Sequence, residues 1–78
     1  MSTKIPIVRV KIVEKLLFIL GFEAKRQSGS HVFYRHQDGR YTTLPHHGNQ
    51  DLGRPLIRQI LREINITPEQ FIELLENV

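Results

Sequence analysis

One histidine lies directly after a short run of small residues that is typical of a tight turn. His31 follows residues 28–30, Ser-Gly-Ser, and Lys25 and Arg26 precede that run. Glycine lets a ligand approach the backbone closely, and the peptide N–H groups of a turn can face an anion. A neutral imidazole near cationic side chains is suited to take a proton from a hydroxyl group beside a phosphate. His31 is therefore a candidate general base, and the alternative is an ordinary histidine of a polar strand surface.

The other three histidines raise the question of a metal site. They stand at positions 36, 46 and 47, which with His31 match no common zinc-ligand spacing, and the chain has no cysteine to complete a site. Adjacent side chains of an extended segment point apart, so His46 and His47 are poorly placed to share one ion. We expect no metal and no other cofactor.

Three short strands are predicted to position His31. They cover residues 22–27, 30–35 and 40–44, and the second is rich in residues that favour strands. Ser28-Gly29 reads as the first turn and Asp38-Gly39 as a strong hairpin turn. After the third strand, Pro45 opens a polar loop that runs to residue 51.

The alternation of the middle strand separates two sets of side chains. His31, Phe33 and Arg35 share one face, while Val32 and Tyr34 share the other. If Val32 and Tyr34 form the buried face, a nucleic-acid base could stack on an exposed Phe33. The sequence leaves open which face is the core, and the alternative is that Phe33 simply packs inside.

Helical patterns flank the strands. Apolar residues with helical spacing predict a first helix from Pro6 to Leu20, stopped by Gly21, and a second from about Arg54 to Ile64. Residues 67–70, Thr-Pro-Glu-Gln, resemble a capping box and predict a third helix to the end. The order α-β-β-β-α-α predicts an α+β fold with a three-stranded antiparallel sheet and helices on one face. The other face of the sheet would be open to solvent or a ligand.

The net charge of +3 is unevenly distributed along the 78 residues. Residues 1–62 contain all 11 Lys and Arg and only four acidic residues, so this part has a charge of +7. The last 16 residues have a charge of −4. A basic body favours a polyanionic partner, and the alternative is a merely solvated surface. Arg54, Arg58 and Arg62 form a stripe along the second predicted helix that either follows a phosphate backbone or pairs with acidic residues.

Composition narrows the class of protein. Disulfides and thiolate metal sites are excluded by the lack of cysteine, so a reducing cytoplasm fits best. No apolar run approaches the roughly 20 residues of a membrane helix, and charged residues interrupt the first 15 positions, so neither a membrane segment nor a signal peptide is predicted. The length supports one domain over residues 1–78.

Several of these motifs together resemble the HicA toxin family, over roughly residues 8–76. The segments that carry the resemblance are Gly-Phe at 21–22, RQSGSH at 26–31, YRH at 34–36, DGR at 38–40, LPHH at 44–47, and residues 56–61. One departure is Gly-Arg-Pro at 53–55, where many members have Gly-Thr-Leu, and it bears on where the second helix starts. The third helix is an extension that shorter members lack.

The resemblance implies a dsRBD-like α-β-β-β-α fold with a short extra C-terminal helix. It also implies a ribosome-independent mRNA endonuclease that is inhibited by a HicB antitoxin, with His31 as the catalytic residue. The family's turn glycine falls on Gly29, followed by Ser30, and its Pro-x-His motif ends at His47. Lys25, Arg26 and these three residues are then expected to bind RNA, and His47 is also a candidate general acid.

These inferences lead to the hypothesis of a metal-independent ribonuclease that makes 2′,3′-cyclic phosphate and 5′-OH ends. Two alternatives share the same fold and charge. One is an RNA-binding module that does not cut RNA, and the other is a toxin-derived protein that survives only as a partner-binding subunit.

Overall fold

The computed structural model describes residues 4–47 and 49–78, so residue 48 of the predicted polar loop lies outside the described residues. The elements in chain order are β1 (Val8–Arg9), α1 (Val10–Ile19), β2 (Glu23–Ser28), β3 (His31–Arg35), β4 (Tyr41–Pro45), β5 (Asp51–Leu52), α2 (Arg54–Ile64) and α3 (Pro68–Leu75). The α+β class and the three-stranded sheet are confirmed. None of the helices in the described ranges has the length and apolar character needed to cross a membrane.

The central sheet is antiparallel in the order β2-β3-β4. Ser28 pairs with His31, so Gly29 and Ser30 form a two-residue connection between β2 and β3. Gly29 has φ +60° at its first position, where type II′ hairpin turns use glycine. The second hairpin turns at Gly39, with φ +99°, as the Asp-Gly signal predicts. Each strand ends within one residue of its predicted bounds.

The start of the first helix is a correction. The predicted helix begins at Pro6, whereas α1 begins at Val10. Residues 8–9 form β1, which pairs antiparallel with β5, so Val8 lies opposite Leu52. The polar loop predicted to run to residue 51 therefore ends at residue 50, because β5 begins at Asp51. The hydrogen bonds between residues 8–9 and a segment more than 40 residues away outweigh the local helical pattern. Tertiary contacts often override helix propensity in this way.

The end of α1 follows the predicted glycine stop. Gly21 has φ +96° and donates its N–H to the Phe18 carbonyl at 3.1 Å, while Phe22 donates to the Leu17 carbonyl at 2.9 Å. These two bonds are those of a Schellman motif, which favours glycine at this position. A Cβ at Gly21 would also lie 3.1 Å from His36 Nε2, so the imidazole would have to move by a few tenths of an ångström to admit a side chain there.

The core lies between the helices and one face of the sheet. Tyr34, Thr42 and Leu44 contribute the sheet side, and the predicted apolar faces of α1 and α2 contribute the other. The Tyr34 hydroxyl donates to the Glu14 carboxylate on α1, and Thr42 Oγ1 donates to Glu63 Oε1 on α2 at 2.7 Å. Because polar groups are costly to bury without partners, these bonds let two strand residues face the helices.

The third helix packs against the first two. Thr67 Oγ1 accepts from the Gln70 N–H at 3.1 Å, and Gln70 Oε1 accepts from the Thr67 N–H at 2.8 Å, which confirms the predicted capping box. Phe71 is 2% exposed and belongs to the same core cluster as the α1 and α2 side chains. The acidic C-terminal segment is therefore part of the folded body.

Candidate functional site

The structure decides which face of the sheet is buried. Tyr34 is 1% exposed beneath the helices, and Val32 is half-buried on the same side. The opposite side, here called the open face, consists of three cross-strand rows. From the Gly29 turn outward the rows are Ser28, His31 and Pro45; then Arg26, Phe33 and Thr43; then Glu23, Arg35 and Tyr41.

His31 lies at the end of the open face nearest the Gly29 turn. It pairs with Ser28 on one side and with Pro45 on the other. Its side chain is exposed, and residues 4–47 and 49–78 provide no hydrogen-bond or ion-pair partner for the imidazole. Both ring nitrogens are therefore available to a ligand, unlike those of a histidine that holds a fold together.

The turn next to His31 is held by its own backbone and one side chain. Gln27 Nε2 donates to the Gly29 carbonyl at 3.2 Å, and the His46 N–H donates to the Ser30 carbonyl at 2.6 Å. A Cβ at Gly29 would meet no atom within 4 Å, so the positive φ, rather than crowding, requires glycine. The space above this turn is open to a ligand.

The two cations predicted to accompany His31 occupy different places. Arg26 lies in the row next to His31, and its guanidinium carbon is 5.5 Å from the centre of the Phe33 ring. Lys25 occupies a β-bulge, because the pairing shifts between Ala24 and Arg26. Its Nζ is 3.4 Å from Glu23 Oε1, at the end of the sheet away from His31. Arg26 is thus the nearer of the two to His31 along the sheet.

The open face also carries a pair of aromatic rings. The Phe33 and Tyr41 ring centres are 5.3 Å apart at an interplanar angle of 30°. Tyr41 is 56% exposed, and Phe33 is half-buried between Tyr41 and Arg26. Tyr41 is not among the residues that the sequence predicted to be functional. Its position at the start of β4 acquires meaning only once the β3–β4 register places it diagonally across from Phe33.

The other histidines are separate from this face or only near it. The His36 ring is 5.1 Å from that of Phe22, and its Nδ1 accepts the Asp38 N–H at 3.1 Å, so His36 belongs to the β3–β4 hairpin. In the same hairpin, hydrogen bonds from Arg40 lower the pKa of Asp38 to about 2. His47 is exposed two residues beyond Pro45, with its ring centre 6.2 Å from that of His46.

No three carboxylate or histidine side chains in residues 4–47 and 49–78 come together as a metal site requires. The metal independence of any reaction stays a prediction for experiment.

The arginine stripe of α2 lies on the helical side of the molecule, away from the open face. Arg54 Nε donates to the Ile5 carbonyl at 2.6 Å, so this member of the stripe ties the N-terminal segment to α2. Arg58 and Arg62 are exposed. Glu63, an acidic residue of the same helix, accepts a hydrogen bond from Thr42. The molecule thus has two distinct basic surfaces.

The sequence was compared with known protein families. A protein-family model described as the HicA toxin of bacterial toxin–antitoxin systems matches residues 10–66. This segment runs from the start of α1 past the end of α2, so it includes every residue of the open face and leaves out α3. The chain matches none of the curated proteins.

Proposed function

The chain belongs to the HicA toxin family, and from that premise we propose that it is a metal-independent mRNA endoribonuclease acting in the cytoplasm, with His31 as general base. The observation that carries the proposal is the position of His31. Its imidazole is exposed and unengaged on a face that also carries cations and aromatic rings. No packing or hydrogen bond within the described ranges requires a histidine at this position.

The proposed reaction is an internal transfer of the phosphate. His31 accepts the proton of a ribose 2′-OH, and the 2′-oxygen bonds to the adjacent phosphorus. The bond from phosphorus to the 5′-oxygen of the next nucleotide breaks, and that oxygen takes up a proton. The products are a 2′,3′-cyclic phosphate and a 5′-OH end. A positioned general base contributes roughly 10²- to 10⁴-fold to such a step.

The remaining site residues have supporting roles in this proposal. Arg26 and Lys25 hold phosphates of the strand, and the backbone of Gly29 and Ser30 approaches the scissile phosphate at the turn. His47 is the candidate donor of the proton to the leaving 5′-oxygen. The open space above Gly29 and the exposure of His47 support these roles.

The decisive test is cleavage of RNA by the purified protein in EDTA, with wild type beside His31→Ala. We expect wild type to cut and His31→Ala to be slower by at least roughly 10²-fold, with the same circular dichroism and melting temperature. His46→Ala, which removes another exposed histidine, is the matched control and should keep activity.

Three results would count against the proposal. Full cleavage by folded His31→Ala would refute the base assignment. Activity that is lost in EDTA and restored by Mg²⁺ or Zn²⁺ would refute metal independence. Binding of RNA by wild type with no product under any condition would favour the RNA-binding module without catalysis.

A HicB-like antitoxin is the proposed protein partner. Toxin families of this kind act with an antitoxin, and a free ribonuclease would damage its own cell. The charge of +7 on residues 1–62 offers electrostatic attraction to an acidic surface, which mainly raises the association rate. Co-expression with the neighbouring open reading frame should yield a complex that forms faster at low salt and does not cut RNA. A complex that cuts as fast as the free protein would refute a blocking partner.

A further inference from the structure

The open face also contains a diagonal row of flat side chains, and the proposed chemistry does not use the two aromatic rings in it. It runs diagonally over three strands, from the Arg26 guanidinium through the Phe33 ring to the Tyr41 ring, with separations of 5.5 Å and 5.3 Å. The row gives no support to the core, because it lies on the side of the sheet opposite Tyr34 and Leu44. At the end of the row, Tyr41 remains 56% exposed.

Such a row is suited to stack against a nucleic-acid base. Unpaired bases stack on aromatic rings and on arginine planes, and this contact tolerates any base because every base has a flat face. Phe33 holds the Tyr41 ring at 30° to its own plane, so the exposed ring is oriented before a ligand arrives. A preoriented ring loses less conformational freedom on binding, which favours affinity.

The row also stands at a useful distance from His31. His31 and Phe33 are two residues apart on one face of β3, which corresponds to roughly 7 Å along a strand. Tyr41 lies one cross-strand row further from His31, so a nucleotide whose base stacks at the Phe33 end of the rings has its sugar and phosphate nearest the imidazole. Arg26, which pairs with Phe33 in the cross-strand row next to His31, is placed to meet the negative charge of the backbone.

We propose that Phe33 and Tyr41 form a stacking platform for one unpaired base, which makes single-stranded RNA, rather than duplex RNA, the ligand of the open face. The proposal rests on the proposed function, since it names the substrate class of the same site. In a duplex the base faces are covered by their neighbours, so a ring on a sheet cannot reach them. The general dsRBD-like architecture would by itself suggest a duplex, which such domains recognise by shape.

The test measures binding rather than cleavage, so it separates this proposal from the nuclease. Fluorescence anisotropy with a labelled single-stranded RNA oligomer, and with the same oligomer annealed to its complement, is carried out in the His31→Ala background. Tyr41→Ala should weaken single-strand binding roughly 5- to 150-fold, the effect of removing one base stack. Tyr41→Phe keeps the ring and should bind as Tyr41 does. Thr43→Ala, on the same strand and face without a ring, is the control.

A second measurement locates the stacked base. A series of oligomers carries an abasic site at successive positions, and each is bound to the protein with and without Tyr41→Ala. At one position the abasic site and Tyr41→Ala together should lower affinity no more than either does alone, because both remove the same stacking interaction. Non-additivity at one position supports the platform.

Three results overturn the platform. In the first, Tyr41→Ala lowers duplex affinity and single-strand affinity equally. In the second, Tyr41→Phe loses as much single-strand affinity as Tyr41→Ala does. In the third, Tyr41→Ala leaves RNA affinity unchanged and weakens antitoxin binding. The last result would assign the rings to the protein partner. If the protein does not cut RNA but its single-strand affinity depends on Tyr41, the nuclease proposal is refuted and the platform stands. If cleavage depends on His31 but single-strand affinity does not depend on Tyr41, the platform is refuted and the nuclease proposal stands.

Discussion

The two faces of the central sheet differ in what determines their residues. On the core face, Tyr34 and Leu44 are at most 1% exposed, and the Tyr34 hydroxyl has a partner in Glu14. On the open face, the neighbouring Phe33 and Thr43 lie outside the core, and His31 has no partner in the described ranges. Adjacent positions of one strand thus serve stability and recognition separately, because strand side chains alternate.

Polar groups show the same difference. In the described ranges, every buried side-chain nitrogen or oxygen has a hydrogen-bond partner. On the open face, Arg26 and Arg35 are exposed, and within the described ranges neither forms an ion pair. A buried polar group without a partner costs stability, whereas an exposed one keeps its water until a ligand replaces it. The two arginines of the open face are therefore charges that a ligand can use.

The largest expected contrast is between two neighbours on β4. Leu44→Ala removes a fully buried side chain and should lower the free energy of unfolding by about 2–5 kcal/mol. Thr43→Ala, one residue away on the open face, should change it by less than about 1 kcal/mol. Urea unfolding followed by circular dichroism measures both. Equal losses from the two variants would contradict the assignment of the two faces.

The two tyrosines give a smaller contrast. Tyr34→Phe leaves the half-buried Glu14 carboxylate without its hydroxyl donor and should lower the free energy of unfolding by about 1–3 kcal/mol. Tyr41→Phe removes an exposed hydroxyl that makes no bond within the described ranges, and should leave stability unchanged. Thermal unfolding of the two variants beside wild type measures the difference.

The Tyr34 contrast should also depend on pH. Burial raises the pKa of the Tyr34 hydroxyl above its ordinary value of 10.0, and the hydrogen bond to Glu14 raises it further. The unfolded chain then releases this proton at lower pH than the folded protein does. The contribution to stability is therefore complete below pH 10 and is lost as the pH rises above it. In urea titrations from pH 8 to 11, the difference between wild type and Tyr34→Phe should shrink above pH 10, and a constant difference would be inconsistent with this linkage.

The smallest contrast concerns the two basic surfaces. In the His31→Ala background, Lys25→Ala with Arg26→Ala should reduce the slope of log affinity against log salt by roughly 0.7 for each phosphate of single-stranded RNA that the variant no longer neutralises. Arg58→Ala with Arg62→Ala, an equal change of charge on α2, should leave the slope as it is. Anisotropy titrations over a salt series measure both. The opposite pattern would move the RNA site to the α2 stripe.

Prediction from the sequence succeeded where neighbours along the chain decide the outcome. The bounds of α2, the capping box at Thr67 and the glycine turns at Gly29 and Gly39 are all as predicted. Each depends on interactions within a few residues, such as a cap bond or a positive φ. The first helix itself is present, but its predicted start at Pro6 was wrong because residues 8–9 pair with a strand distant in the chain.

The features of the candidate site likewise fall into those set by neighbours along the chain and those set by the tertiary structure. By itself the sequence determined that His31 follows a glycine turn, that Arg26 precedes it, and that His31 and Phe33 share a face, since these relations depend only on local spacing. Only the tertiary structure decided that this face is open, because a period of two is the same for either side of a sheet. It also decided that Tyr41 meets Phe33 and that Lys25 bulges away from His31. Those relations depend on the register between strands, which is set by the packing of Tyr34 and Leu44 beneath the helices.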